Sequence, residues 1–333
     1  MKKTEEQEPI GMPDPEQEQM LERLFRIAGT RASIPEEVNT RVKSAVREHW
    51  KETVRARSRR KTLLIFAGAA AAFFAFFALS LQIYFSTERV PVGIVENIKG
   101  DVQTMAQNGR SSSLEVGSTL VKGAVVNTDH SGRLLLRLVG GSSLRMDVDT
   151  SLSLESESTF VLKHGAVYFD SGKTGRPIAL ITRLGTIRDM GTQFEVALDD
   201  GQVRIRVREG VVLLDGQGVS RTTLAGSELV VRNNGNQSTE SVASYGSQWD
   251  WISQISPSLE LEGHSLAEFL EWVARENGWR LDFSDDSARE LAAKTILHGS
   301  VRGLRPDQMP EAVFPVTGFT YSINNGVLTV TAK

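Results

Sequence analysis

The chain has no cysteine among its 333 residues. It therefore has no disulfide, no thiolate metal site and no cysteine nucleophile, a composition that fits an oxidising compartment. Its formal net charge is only −3, from 38 lysine and arginine residues against 41 aspartate and glutamate residues. This balance predicts no bulk attraction to nucleic acid.

Catalytic motifs are lacking as well. The five histidines show no metal-ligand spacing between any two of them and stand at positions 49, 130, 164, 264 and 298. There is no G-x-S-x-G or H-E-x-x-H motif, and the segment Gly185–Gly191 lacks the Lys-Ser/Thr of a phosphate loop. The acidic pairs at 199–200 and 285–286 stand beside turn residues, where aspartate commonly caps backbone amides. We therefore predict no enzyme activity, no cofactor and no metal site.

What the chain does contain is a charge-free run from Leu63 to Phe85, preceded by the basic sequence RARSRRK at 55–61. At 1.5 Å per residue the run reaches roughly 35 Å, enough to cross a bilayer core of about 30 Å. We expect a transmembrane helix over residues 62–86, in contact with the lipid bilayer. The basic flank places residues 1–61 in the cytosol and the C-terminal part outside it. A signal peptide or a buried core helix fits less well, because a long charged segment precedes the run and β-rich sequence follows it.

The part before this run is predicted to be disordered over residues 1–19 and helical over residues 20–61. Leu21, Leu24, Phe25 and Ala28 share one helical face, which ends at Gly29. A second helix is expected after Ser33, with an apolar face made of Val38, Val42, Ala45, Val46, Trp50 and Val54. Two such helices are too small for a core of their own. They either pack together near the bilayer, pair with a second copy, or dock in a groove of a cytosolic partner. The candidate contact residues are Leu21, Leu24, Phe25 and Trp50.

Residues 92–235 show short alternating runs separated by glycine-containing turns, which predicts an all-β domain. Hairpin turns are expected at Gly140-Gly141 and at Asp215-Gly216. In the run QVRIRVREG the valine and isoleucine side chains at 203, 205 and 207 are predicted to face inward. The arginines at 204, 206 and 208 are then expected on the wet outer face of the strand.

The C-terminal end has two parts. Residues 236–257 form a polar linker whose aromatic side chains, among them Trp249 and Trp251, are expected to dock on a neighbouring domain and are candidate partner-binding residues. Residues 258–333 show two similar halves of strand, helix and strand. Ser265 and Glu268 form a capping box, and Asn325-Gly326 predicts a hairpin turn. A small α+β domain follows from this pattern.

The stretch TRLGTIRDMGTQFEV at 182–196, with VREGVV at 207–212 and LAGSE at 224–228, resembles the periplasmic FecR domain. The resemblance implies that glycines hold the turns, that Thr192 precedes an inward Phe194, and that Glu209 with Gly210 closes a hairpin. The turn glycines are Gly185, Gly191, Gly210 and Gly226.

The repeated strand-helix-strand unit at 258–333 resembles the short secretin and TonB-receptor N-terminal domain, called STN. The implied fold class is mixed: a single-pass membrane protein with a short cytosolic helical segment, one transmembrane helix, a FecR-type β domain and an STN-like α+β domain.

The same resemblance implies a signal-transducing regulator in the inner membrane, with its N-terminus in the cytosol and its C-terminus in the periplasm. Its periplasmic part is expected to sense the signalling domain of a TonB-dependent receptor or another envelope protein. Its cytosolic part is expected to control an extracytoplasmic-function sigma factor. The alternative is a non-signalling envelope scaffold that binds glycan, peptidoglycan or export machinery through the FecR-type domain.

Overall fold

The computed structural model of the protein describes residues 15–29, 35–48, 73–77, 90–105, 109, 111–172, 176–216 and 219–333. The chain divides into two compact units, Met1–Thr87 and Glu88–Lys333. In the first unit, helix α1 covers Pro15–Ile27, and residues 36–48 and 73–77 are also helical. Acidic side chains at Glu16 and Glu18 and a basic one at Arg26 suit the dipole of α1.

The transmembrane part of the expected fold class is not what the structure shows. Among the described residues, no helix is long and apolar enough to cross a membrane. Within the predicted span 62–86 only residues 73–77 are described as helical. The fold class is therefore corrected to a mostly β-sheet protein with short helices. The rest of the predicted span, Trp50 and the N-terminal tail 1–14 lie outside the described residues.

The second unit begins with a β domain in which the described residues form seventeen strands. These are β1 (Pro91–Lys99), β2 (Val102–Met105), β3 (Ser111–Ser113), β4 (Thr119–Val121), β5 (Val125–Thr128), β6 (Arg133–Leu138), β7 (Ser143–Met146), β8 (Ser151–Leu154), β9 (Thr159–Asp170), β10 (Ala179–Thr182), β11 (Gly185–Asp189), β12 (Gln193–Leu198), β13 (Gln202–Glu209), β14 (Val211–Gly216), β15 (Val219–Leu224), β16 (Ser227–Arg232) and β17 (Gln237–Ser241).

The strands form two sheets that share β9. Sheet A runs in the order β4-β1-β6-β7-β9-β12-β13-β16-β17. Sheet B runs in the order β3-β2-β5-β8-β9-β10-β11-β14-β15. Strand β9 pairs in sheet B up to His164 and in sheet A from Gly165. Beyond β9, hairpins alternate between the sheets, with β10–β11 and β14–β15 in sheet B and β12–β13 and β16–β17 in sheet A.

The hydrophobic core of the β domain lies between the two sheets. Val203, Ile205 and Val207 are buried there, as the alternation in the sequence predicts, and Phe194 stacks on Phe169. The hairpin expected at Glu209-Gly210 is instead a crossing, because β13 pairs in sheet A whereas β14 pairs in sheet B. Gly210 makes this corner with a φ of +82°, a conformation that side-chain-bearing residues rarely adopt.

Two short helical turns follow the β domain: a 3₁₀ turn at Ser247–Trp249 and α2 (Asp250–Ser253). The C-terminal module then contains α3 (Leu266–Asn277), β18 (Arg280–Phe283), α4 (Asp286–Lys294), α5 (Met309–Val313), a 3₁₀ turn (Phe314–Val316), β19 (Phe319–Asn324) and β20 (Val327–Ala332). Its sheet has the order β18-β20-β19. The predicted capping box is confirmed, since Ser265 and Glu268 each cap the other's backbone N–H at the start of α3.

The strands expected at the start of each half of the module are reduced to isolated bridges, Glu260 with Ser300 and Ser265 with Ile296. The hairpin turn at Asn325-Gly326 is confirmed by the pairing of Asn324 with Val327. The module has its own hydrophobic core, separate from that of the β domain. A third, small cluster joins Tyr168 of the β domain to Trp249 and Ile252.

Candidate interaction surfaces

A row of polar side chains crosses the outer face of sheet A. Strand register places one residue from each of five neighbouring strands side by side. The row consists of Arg145 on β7, Tyr168 on β9, Glu195 on β12, Arg206 on β13 and Glu228 on β16. In this order no two like charges stand next to each other. Each cross-strand pair of neighbours in the row is therefore favourable.

The linker predicted at 236–257 begins at 242 in the structure, because residues 237–241 form strand β17. This linker and helix α3 cover the row. Nη1 of Arg145 donates a hydrogen bond to the carbonyl of Ile252 at 3.0 Å, and its Nη2 donates to both carboxylate oxygens of Glu276. The indole N–H of Trp251 donates to Glu195 at 3.0 Å. The guanidinium of Arg206 contacts the carboxylates of Glu195 and Glu228. Side chains of the expected wet face are thus covered by later segments of the chain.

Arg208 is the clearest case. It is buried, although the alternation of its strand predicts an exposed arginine. Its Nε donates to the carbonyl of Ser244 at 2.7 Å and its Nη1 to the carbonyl of Glu276 at 3.1 Å. The guanidinium also lies 4.5 Å from the ring centre of Trp249 and 5.8 Å from that of Tyr168. Desolvated cation–π contacts of this kind strengthen an interface. The expectation of a solvated face is therefore wrong for Arg208.

At the rim of the interface, Arg275 connects α3 to two strands. It forms ion pairs with Asp170 at the end of β9 and with Glu209 at the end of β13. Asp170 also accepts hydrogen bonds from Gln193 and from the backbone N–H of Gly172. A shallow cleft of about 390 Å³ opens beside these residues, lined in part by Arg208, Glu209 and Arg275.

Burial and charge shift the pKa values of these groups in different directions. Burial raises the pKa of the Tyr168 hydroxyl to about 12, so it stays protonated. Burial also raises the pKa of Glu195, because it outweighs the neighbouring charges of Arg204 and Arg206. For Asp170 the pKa is lowered, since Arg275 and Gln193 together outweigh the effect of burial. Burial lowers the pKa of Arg145, but Glu276, Tyr168 and Asp170 together outweigh burial and raise it.

The residues singled out from the sequence lie in three places. Trp249 and Trp251 lie in the covered interface, with the indole N–H of Trp249 bonded to the carbonyl of Ala243. Phe194 and Thr192 are buried in the β domain, Glu209 pairs with Arg275, and the motif glycines stand at turns or crossings. Arg145 and Glu276 match no local sequence pattern, and Arg208 was expected on the wet face of its strand. The partners that bury these three residues are far away in sequence.

The third place is the first unit, where Leu21, Leu24 and Phe25 form an apolar face on α1. Leu24 is 59% exposed and Phe25 is 75% exposed. The apolar face of residues 36–48 is also open, with Val42 and Val46 exposed. Adjoining exposed apolar side chains on a helix indicate a contact surface rather than a core.

Among the described residues, no group of three or more histidine, aspartate or glutamate side chains is arranged to hold a metal ion.

Comparison with known proteins identifies the central part of the β domain. Residues 124–213, which run from just before β5 to the middle of β14, match the family described as "FecR protein". The chain therefore contains a FecR domain, and this part of the sequence-based identification is confirmed. None of the curated proteins matches the chain.

Two solved structures of a "putative anti-sigma factor" from Parabacteroides distasonis ATCC 8503 are similar to this chain. Each has 15% sequence identity and a TM-score of 0.34 and covers 63% of this chain, and the similarity extends over 99% and 98% of the respective neighbour. A third structure, described as a "Cell surface anchoring domain", is 24% identical, with a TM-score of 0.20, and covers 20% of this chain and 88% of its own. At these TM-scores the likenesses support neither a fold nor a function.

Proposed function

We propose that this protein regulates sigma-factor signalling, with the first unit binding a sigma factor of the extracytoplasmic-function class. The observation that carries the proposal is the exposed apolar face of α1, in a chain that also contains a FecR domain. Helices that present apolar side chains at i, i+3 and i+4 spacing bind in hydrophobic grooves of partner proteins. Burying Leu24 and Phe25 in such a groove contributes on the order of 1.5–3 kcal/mol for each side chain.

The second unit is proposed as the sensory part. Its C-terminal module, which we take to be STN-like, would receive the signalling domain of a TonB-dependent receptor or another envelope protein. An inner-membrane location, with residues 92–333 in the periplasm, is part of this proposal. Separation of inner membrane, periplasm and cytosol from cells that produce the full chain tests the location independently of the sigma factor.

Co-purification of the full chain with sigma factors from the same genome tests the cytosolic half. We expect Leu24→Glu to reduce recovery of the sigma factor at least tenfold, because a carboxylate would have to enter the apolar groove. Gln19→Glu is the matched control. It adds the same charge to α1, on a face turned well away from Leu24, and is expected to leave recovery unchanged.

The proposal fails if no extracytoplasmic-function sigma factor is recovered with the unmodified chain. It also fails if Leu24→Glu binds as well as Gln19→Glu. Either result would favour the scaffold alternative, in which the first unit has no regulatory partner.

A further inference from the structure

The contact between the β domain and the C-terminal module is more polar than the core of either. Each of the two bodies has a large apolar core of its own. Among the described residues, a small cluster of Tyr168, Trp249 and Ile252, with Trp251 packed beside it, lies between them. Further contacts across the boundary include ion pairs, hydrogen bonds to carbonyls and arginine–aromatic contacts. Separating the two bodies would therefore leave both cores intact.

One ion pair at this boundary, Arg145 with Glu276, is almost completely buried. The side chains of Arg145 and Glu276 are 1% and 5% exposed, so both charges are withdrawn from water. Nε of Arg145 has no hydrogen-bond partner, so the guanidinium depends on Glu276 and on the carbonyl of Ile252. A buried charge that loses its partner costs far more than the intact pair contributes. The ion pair therefore stabilises the closed contact only while Arg145 and Glu276 are both present.

The backbone carbonyls that hold Arg208 belong to Ser244 in the linker and Glu276 in α3. The linker and α3 are therefore bound to the same arginine-lined face of sheet A. If they leave together, Arg145 and Arg208 exchange protein partners for water, whereas Arg206 keeps its ion pairs with Glu195 and Glu228 on sheet A. The small cluster of Tyr168, Trp249 and Ile252 is separated, but the cores of the β domain and of the module stay closed.

We propose that this contact can open reversibly while both cores stay folded, and we call it the latch. The linker 242–257 and the C-terminal module dock on sheet A as one body, and the Arg145–Glu276 pair holds the closed state. The latch is independent of the proposed sigma-factor binding, because it involves only residues of the second unit.

Hydrogen–deuterium exchange of the full chain tests the latch, since local opening and global unfolding expose different amides. In Glu276→Gln we expect exchange of linker amides at 247–255 to accelerate about a hundredfold, because Arg145 loses its charged partner. Exchange of the core strands β9 and β12 and of α3 is expected to remain as in the unmodified protein. Lys294→Ala, which removes a member of an exposed ion pair on α4, is the matched control and is expected to change neither region.

A second variant decides the matter if Glu276→Gln does not fold. Arg275 is 34% exposed, and Asp170 keeps its bonds from Gln193 and Gly172 when Arg275 is removed. Arg275→Ala is therefore expected to fold and to accelerate linker exchange by a smaller but measurable factor, on the order of threefold to tenfold. The latch is refuted if linker exchange in the folded variants matches that of the unmodified chain. It is equally refuted if the amides of β9, β12 and α3 accelerate by the same factor as the linker.

Discussion

Arg145 and Glu276 stand 131 positions apart in the chain, yet one guanidinium nitrogen of Arg145 lies 2.9 and 2.8 Å from the two carboxylate oxygens of Glu276. Glu276 lies in the last turn of α3, where the negative end of the helix dipole disfavours a carboxylate. The local preference at this position is for a basic side chain. Arg145 supplies that positive charge from strand β7, so the glutamate is explained by tertiary structure and not by its helix.

The first prediction concerns the cost of breaking this pair. Arg145→Met leaves the Glu276 carboxylate buried and unpaired, which is expected to lower the free energy of unfolding of the docked module by about 3–5 kcal/mol. The double variant Arg145→Met/Glu276→Leu is expected to recover most of this loss, because no charge is then left stranded. Tryptophan fluorescence during urea unfolding reports on this region, since four of the five tryptophans lie between 249 and 279. A double variant as unstable as Arg145→Met alone would contradict the interpretation.

The second prediction concerns the corner between the two sheets. A Cβ atom added at Gly210 would lie 2.5 Å from Cγ2 of Thr192 and 2.8 Å from the carbonyl oxygen of Gly191. Gly210→Ala is therefore expected to destabilise the β domain by more than about 2 kcal/mol, from the clash added to the strained φ. Gly191→Ala is the matched control, with a φ of +83° against +82° and no atom within 4 Å of the added Cβ. It carries only the backbone strain of a left-handed alanine, roughly 1–2 kcal/mol. Equal thermal midpoints for the two variants would show that the contact is unimportant.

The third prediction concerns pH, where two buried carboxylates act in opposite directions. Burial raises the pKa of Glu195 above its ordinary value of 4.5. The folded protein then binds a proton before the unfolded chain does, so this group adds stability as the pH falls toward 4.5. In Asp170 the Arg275 contact keeps the pKa below its ordinary value of 3.8. Its contribution is therefore complete above pH 3.8 and is lost as the pH falls below that value.

Urea midpoints of the unmodified chain, Glu195→Gln and Asp170→Asn between pH 3 and pH 8 separate the two effects. The stability of the unmodified chain relative to Glu195→Gln is expected to rise as the pH is lowered from neutral toward 4.5. Relative to Asp170→Asn it is expected to stay constant down to about pH 4 and then to fall. Parallel curves for all three proteins would contradict both assignments.

Strand β13 shows how far the sequence alone reaches. Its period of two correctly predicts that Val203, Ile205 and Val207 enter the core, because successive side chains of a strand point to opposite faces. The same period says nothing about what covers the other face. Arg208 is buried there by the linker and by α3, whose backbone carbonyls at Ser244 and Glu276 are many residues further along the chain.

The FecR motif likewise predicted the domain correctly but one of its connections incorrectly. It identified the domain that matches at residues 124–213, and its glycines occur where the chain turns. It misassigned the connection at Gly210, because a positive φ suits both a hairpin and a crossing between sheets. Only the pairing of β13 in sheet A and β14 in sheet B distinguishes the two.

The sequence by itself determined those features that depend on neighbouring residues: the alternation of the strands, the capping box of α3 and the hairpin at Asn325-Gly326. The tertiary structure decided which polar faces are covered, how hairpins alternate between two sheets, and that Arg145 meets Glu276. The physical reason is the distance along the chain over which each interaction acts. Side-chain direction and helix capping are set within a few bonds along the backbone, whereas the partner of a buried charge is set by packing between segments that local sequence patterns do not relate.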